Sequence, residues 1–316
     1  MQLTTNSQAF IEAEQYSSFI LTNLHDGLMP AMWYRDVSDF GSGTTLNIKT
    51  IGSATIQEVE EDSPITYNAI DTGNVTLSIT DYVGDAWYVS DVLRQDGSQV
   101  EQLMAERSAE STRAIQEHFE TRYFEVCNSV QTDADANTIN SFAHRISSTV
   151  ATSGSEGTLD LADLVKMKLG FDKANVPYAG RVGCLDPVCA ATLDNKTTVT
   201  HDVTSFGEKI LMSGFDRDHE FLVNLYGWNL ITSNRLAKGT FSDGTTSVSG
   251  AVANVFMSVL DDNTKPIMAA WRQQPSVEGE RNKDRGRDEF VARARWGIGA
   301  QRLDTLGIYI TSATKI

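Results

Sequence analysis

The chain has 316 residues, 41% hydrophobic and 22% charged, enough for one large domain or two ordinary ones with real cores. Its formal net charge of −16 argues against a general nucleic-acid binder, because neutralising phosphates takes Lys and Arg. No apolar run approaches the roughly 18 residues of a membrane span, and the N-terminus lacks the basic-then-apolar order of a signal peptide, so no membrane association is expected.

Ser7 to Leu24 sets Phe10, Ala13, Ile20 and Leu24 on one helical face, with Glu12 and Glu14 off it. A membrane-surface helix would be basic, so this segment is expected to pack against protein as an N-terminal arm. From Thr44 to Asp91 the pattern turns to period two. Leu46 and Ile48 alternate with Asn47 and Lys49, and Val75, Leu77 and Ile79 alternate with Thr76, Ser78 and Thr80. Two long strands are expected, joined by about 20 acidic, Thr-rich residues, too many for a tight hairpin in a compact domain. Such a ribbon needs a surface outside itself to lie on.

Ser98 to Val130 contains no Gly and no Pro. Ser98 and Glu101 fit a capping box, and Val100, Leu103, Met104, Ile115, Phe119, Tyr123, Val126 and Val130 recur at helical spacing. About 33 residues of helix would span roughly 50 Å, the full diameter of a globule of this length. The apolar stripe is narrow and lapses between Glu106 and Thr112. The pattern fits a spine through a flat, extended subunit.

Further along, 132–155 reads as loop with a weak helix around Ile139 to Ile146. Thr158 to Ala174 reads as helix with Leu161, Leu164, Val165 and Leu169 as its apolar face. A short strand is expected at Arg181 to Leu185 and a short helix from Pro187 to near Leu193. His201 to Glu220 is polar and irregular. Phe221 to Ile231 reads as strand broken at Gly227, the next stretch as a turn-rich loop, and Ala251 to Leu260 as a buried strand. Ala269 to Trp271, a charged loop from Glu278 to Glu289, and strands near Phe290–Trp296 and Thr305–Ile310 complete the chain.

Little chemistry is expected. Cys184 and Cys189 lack the second closely spaced pair of a zinc site, and the three cysteines, with Cys127, read as buried thiols in a reducing compartment. Asp216, Asp218 and Glu220 lack the spacing of a calcium loop. The five histidines form no metal-binding helical motif, and no nucleophile elbow, P-loop or dinucleotide fingerprint is present. No catalytic residue, metal or cofactor is expected. Charge is segregated instead. Lys and Arg are absent between Lys49 and Arg94, whereas bases outnumber acids among the residues around Arg281–Arg302. Complementarity between copies of the chain would explain this.

The order of elements resembles the major capsid protein of tailed bacteriophages, the Hong Kong 97-type fold. Three stretches carry the resemblance: SEGTLDLADLVKMKLGFDKANVPYAGRVGCLDPVCAATLDN, LYGWNLITSNRLAKGT with its S-N-x-L segment, and ARARWGIGAQRLDTLGIYIT with a Gly-rich turn and an Arg before the last strand. The resemblance implies an α+β fold with an N-terminal arm at 1–40 and an extended two-stranded E-loop at 41–90. It implies a P-domain with the spine helix at 91–154 and 267–316, and an A-domain at 155–266. It implies self-assembly through hexamers and pentamers into an icosahedral shell that encloses double-stranded DNA without sequence-specific binding. A virion protein assembled in host cytoplasm would meet a portal protein and possible decoration proteins. With only about 35 residues before the E-loop, scaffolding is expected from a separate protein, or not at all. The alternatives are a nanocompartment shell of the encapsulin kind, a cytosolic α/β enzyme, or a minor virion component. On the shell reading, Glu58, Glu60, Glu61 and Asp62 are expected to face Arg281, Lys283, Arg285 and Arg287 of a neighbour.

Overall fold

The computed structural model describes residues 27–39, 43–52, 54, 56–59, 61, 62, 64, 67, 69, 70, 72–97, 100–131, 138, 139, 142–148, 157–199 and 221–315. The expected helix from Ser7 to Leu24, the Ser98 cap, Glu60 and the acidic stretch at 216–220 lie outside them. A 3-10 turn at Ala31–Trp33 leads to β1 (Arg35–Asp36). The ribbon strands β2 (Thr45–Ile51) and β3 (Thr72–Ser78) come next, then β4 (Asp81–Ser90), α1 (Asp91–Asp96) and the spine helix α2 (Val100–Val130). Short strands β5 (Thr138–Ile139), β6 (Phe142–Ala143) and β7 (Arg145–Ser147) precede α3 (Leu161–Lys173), β8 (Arg181–Leu185) and α4 (Pro187–Val199). The chain closes with β9 (Phe221–Leu225), β10 (Trp228–Thr232), β11 (Lys238–Ser242), β12 (Ser247–Ser258), β13 (Ile267–Asn282), β14 (Arg287–Ala300) and β15 (Leu306–Ser312).

Two sheets carry the architecture. The smaller has the order β1-β13-β14-β4, and the larger runs β7-β15-β12-β8-β10-β9 with β11 on β12. The larger sheet is mixed and covered on both sides, as its near-continuous apolar strands require. Phe256 and Tyr309 face a cluster with Leu164, Met167, Phe171 and Trp228. Their strand neighbours Val255, Met257, Ile308 and Ile310 face Tyr123, Phe124 and Cys127 of the spine. Farther up the spine, Ile115 and Phe119 pack on the smaller sheet. One helix thus bridges both sheets.

Several elements differ from the sequence reading. The stretch around Ile139 to Ile146 is three short strands rather than a helix, and β7 runs parallel to β15. The buried face of α3 is Leu164, Met167 and Phe171, while Val165 and Leu169 are exposed. A Cβ on Gly307 of β15 would collide with Met167 and Phe171, so the missing side chain there selects that face. The helix after Pro187 runs on to Val199. The stretch after Ser233 is a hairpin, β11 with β12, rather than loop. The charged Glu278–Glu289 stretch lies in the long β13–β14 hairpin, with only residues 283–286 as its turn. The break at Gly227 is a two-residue turn in which Tyr226 and Gly227 both have positive φ, 52° and 87°, the geometry of a tight hairpin. A third long strand, β4, follows the expected two and pairs along its length with β14.

Candidate functional site

The spine meets the smaller sheet in two chemically distinct halves. Toward its C-terminus, Ala292 and Ala294 on β14 leave room for Phe119, whose ring centroid lies 4.5 Å from Trp271 and 5.6 Å from Trp296. Toward its N-terminus, where the stripe lapses, the contact is polar. Arg107 reaches Asp85 of β4 at 2.7 Å, Ser111 Oγ donates to the same carboxylate at 2.6 Å, and the Arg107 guanidinium lies over Trp87. The lapse therefore marks a second docking contact.

A charge clamp joins three parts of the chain. Arg235, just beyond β10, donates to Glu120 at 3.2 Å and to Glu117 at 3.0 Å on the spine. It also donates to the Gly27 carbonyl, and Ser233 Oγ and the Met29 amide donate to Glu120. The segment from Gly27 to Met29, the spine and the larger sheet are thereby held together.

Among the described residues, the β2–β3 ribbon is anchored toward its base, where Leu77, Leu46, Ile48 and Val75 pack with Met268 and Ala270. Beyond it, no described residue from Gly52 to Ile70 is buried. Ile56 is 93% and Tyr67 96% exposed, beside exposed Glu58, Glu61 and Asp62. A solitary ribbon carrying such side chains is not stable in water, so it is built to be covered.

The tip of the β13–β14 hairpin holds the expected basic tract. Arg281 makes a two-pronged pair with Asp91 at 2.9 Å and also reaches Asp288, which Arg94 contacts at 2.7 Å. Arg287 pairs with Glu289 at 2.7 Å and lies 4.4 Å over Tyr88. The hydrogen bonds from Arg281 hold the Asp91 carboxyl below its ordinary range, and those from Arg287 and Asn282 do the same for Glu289. Arg281 and Arg287 are thus engaged within their own subunit, while Lys283 and Arg285 stand exposed in the turn.

Sequence reasoning assigned no role to the outer face of the smaller sheet, opposite the spine. There Tyr82 and Tyr88 are each 61% exposed on β4. Paired across from that strand, Arg293 is exposed and Arg295 half-buried, and neither makes an ion pair among the described residues. Among the described residues no group of three or more His, Cys, Asp or Glu side chains forms a metal site. No described helix is long and apolar enough to cross a membrane.

Residues 73–311 match the family model described as "Phage capsid protein". No curated protein matches the chain. Among solved structures, one from Mycobacterium phage Che8 aligns with a TM-score of 0.67 at 17% identity, covering 95% of this chain and 97% of that one. The capsid of Cyanophage P-SCSP1u aligns at 0.69 and 14% identity, covering 96% and 93%. The capsid of a native GTA particle aligns at 0.62 and 11% identity, covering 99% and 100%. At such identities these likenesses show a shared fold, and that fold is the Hong Kong 97 type. With the family match spanning most of its length, the chain belongs to the phage capsid protein family.

Proposed function

We propose that the chain is the major capsid protein of a tailed phage, closing by self-association into an icosahedral head shell around double-stranded DNA. The observation that carries this, beyond the family, is the pairing of a bridging spine helix with a ribbon left uncovered by its own subunit. A shell of repeated copies supplies the missing cover, and weak contacts multiply over its symmetry. The structural neighbours are phage capsids, which favours the DNA shell over a nanocompartment.

The finer assignments follow that scheme. Residues 1–40 act as the N-terminal arm, 41–90 as the E-loop, 91–154 with 267–316 as the P-domain, and 155–266 as the A-domain. Subunits group as hexamers and pentamers, with a portal protein, a separate scaffolding protein and a decoration protein as further partners. The shell assembles in the host cytoplasm and its role is assembly rather than turnover. Glu58, Glu60, Glu61 and Asp62 supply the acidic side of a contact between subunits. From the expected basic tract Lys283 and Arg285 remain available to it.

Electron microscopy and sedimentation of the chain expressed alone test this reading. Closed shells, or capsomers that close when scaffold is added, support it. A monomer or dimer under every assembly condition counts against it.

A further inference from the structure

We infer that the hollow between the spine, the bulged edge of β13 and the segment leading into β1 is a binding site for a small primary alkylammonium ion. Asp36 receives the ammonium group, and the rings of Trp271, Phe119 and Tyr34 receive its stem. The site does not depend on the shell reading.

The backbone opens the hollow. β1 pairs with β13 only at Met268 and Ala269, so beyond them β13 has no strand on this side among the described residues. Its register with β14 shifts twice, between Trp271 and Gln273 and between Gln273 and Ser276. Pro275, within the second shift, offers no N–H to a further strand. The 3-10 turn at Ala31–Trp33 carries the preceding segment around the gap instead. What is left is a hollow of about 230 Å³, bounded on its remaining side by Gln116, Phe119 and Glu120 of the spine.

Its walls select charge. Asp36 and Glu120 border it, and among the described residues no Lys or Arg does. The two acids are not equivalent. Glu120 is buried and paired with Arg235 at 3.2 Å. Asp36 is exposed; it accepts from the Ser38 amide and hydroxyl and has no ion pair among the described residues. Its charge reaches the aromatic wall, since burial first and then Asp36 hold the Tyr34 phenol above its ordinary value. That wall is continuous, with the Phe119 ring centroid 4.5 Å from Trp271 and 5.5 Å from Tyr34.

A cation near a ring face is attracted by the ring quadrupole, most strongly at tryptophan, and a carboxylate adds a charge-assisted hydrogen bond. An anion would meet two carboxylates. A divalent metal would find one acid not already paired, and no cluster of three or more His, Cys, Asp or Glu side chains exists among the described residues. An uncharged apolar guest would strip water from Asp36, Gln116 and Gln274 without replacing it. An ammonium with three N–H donors satisfies the carboxylate and both amide oxygens, while its alkyl stem lies on the rings.

Isothermal titration calorimetry of the full-length chain with pentylammonium chloride, against matched sodium chloride, tests this. Saturable binding of one ion per chain is expected. The melting temperature should rise with it, because the guest contacts three segments that separate on unfolding. Asp36→Asn should weaken binding at least about tenfold. Gln116→Lys should do the same, because it sets a fixed cation beside the hollow at an exposed helix position where lysine is well tolerated. Pentanol, of the same length without the charge, should not bind measurably. No binding of pentylammonium, equal binding of pentanol, or full affinity in either folded variant would overturn the site and leave the shell reading standing.

Discussion

Arg235 lies 115 residues along the chain from Glu120, yet its guanidinium sits 3.2 Å from that carboxylate, with both side chains largely buried. Arg235→Ala would take the guanidinium away from the buried Glu120, while Glu117 keeps Arg113 at 3.0 Å. Breaking one partner of a buried pair costs about 3–5 kcal/mol. Urea unfolding should show that loss, and Arg235→Lys should recover only part of it, because one ammonium cannot span both acids and the Gly27 carbonyl.

The two halves of the spine should respond unequally to truncation. Phe119→Ala empties the cluster with Trp271 and Trp296 and should cost about 3–5 kcal/mol. Leu103→Ala, at a site 49% exposed, should stay within about 0.5 kcal/mol. Denaturant midpoints of the two variants make the comparison, and equal losses would contradict the two-halves description.

Gly297→Ala should loosen the ribbon base. The added methyl would lie 2.8 Å from the Ile79 Cα, and backbone cannot rotate aside. Overpacking of this kind costs about 1–3 kcal/mol. Limited proteolysis should then cut within 52–71 faster than in the parent chain, with cleavage elsewhere unchanged.

The hairpin tip should weaken only in acid. Asp91 and Glu289 have carboxyls held below their ordinary values by Arg281 and Arg287. A depressed carboxyl stabilises the fold above its unfolded pKa, about 4, and that contribution disappears as the pH drops through the folded value. Melting temperatures of the wild type and Asp91→Asn should therefore differ at pH 7, draw together as the pH falls under about 4, and converge only below the depressed folded value. A difference that persists at low pH would show that the pair contributes through something other than charge.

The cysteines should be silent until the fold opens. Burial raises the Cys127 thiol far above its ordinary range and the Cys189 thiol to about 11, while all three cysteines are free and buried. A thiol-specific chromogenic disulfide at pH 8 should detect none of them in native protein and all three in denaturant.

The spine was legible because 31 of its residues carry no breaker and its apolar positions repeat at one period. The strand Arg181–Leu185 was legible because a glycine turn precedes it and Pro187 starts the next helix. The strand β4 was hidden for a physical reason. Asp81 and Asp85 stand on its inner face among Val83, Trp87 and Val89, and they belong there only because Arg122, Arg107 and Ser111 arrive from the spine. The basic tract was visible as a charge run, but its partners Asp91 and Asp288 could not be read from that run. Arg293 and Arg295 sat in plain view in ARARWG, but that they stand on the face opposite the spine is read only from the fold.

The pairing of β4 with β14 joins segments roughly 200 residues apart. A strand made early in synthesis must therefore wait for one of the last segments to leave the ribosome. The face formed by Tyr82, Tyr88, Arg293 and Arg295 does not exist on an unfinished chain. The smaller sheet therefore closes last, when the C-terminal strands arrive, however early β4 itself is made.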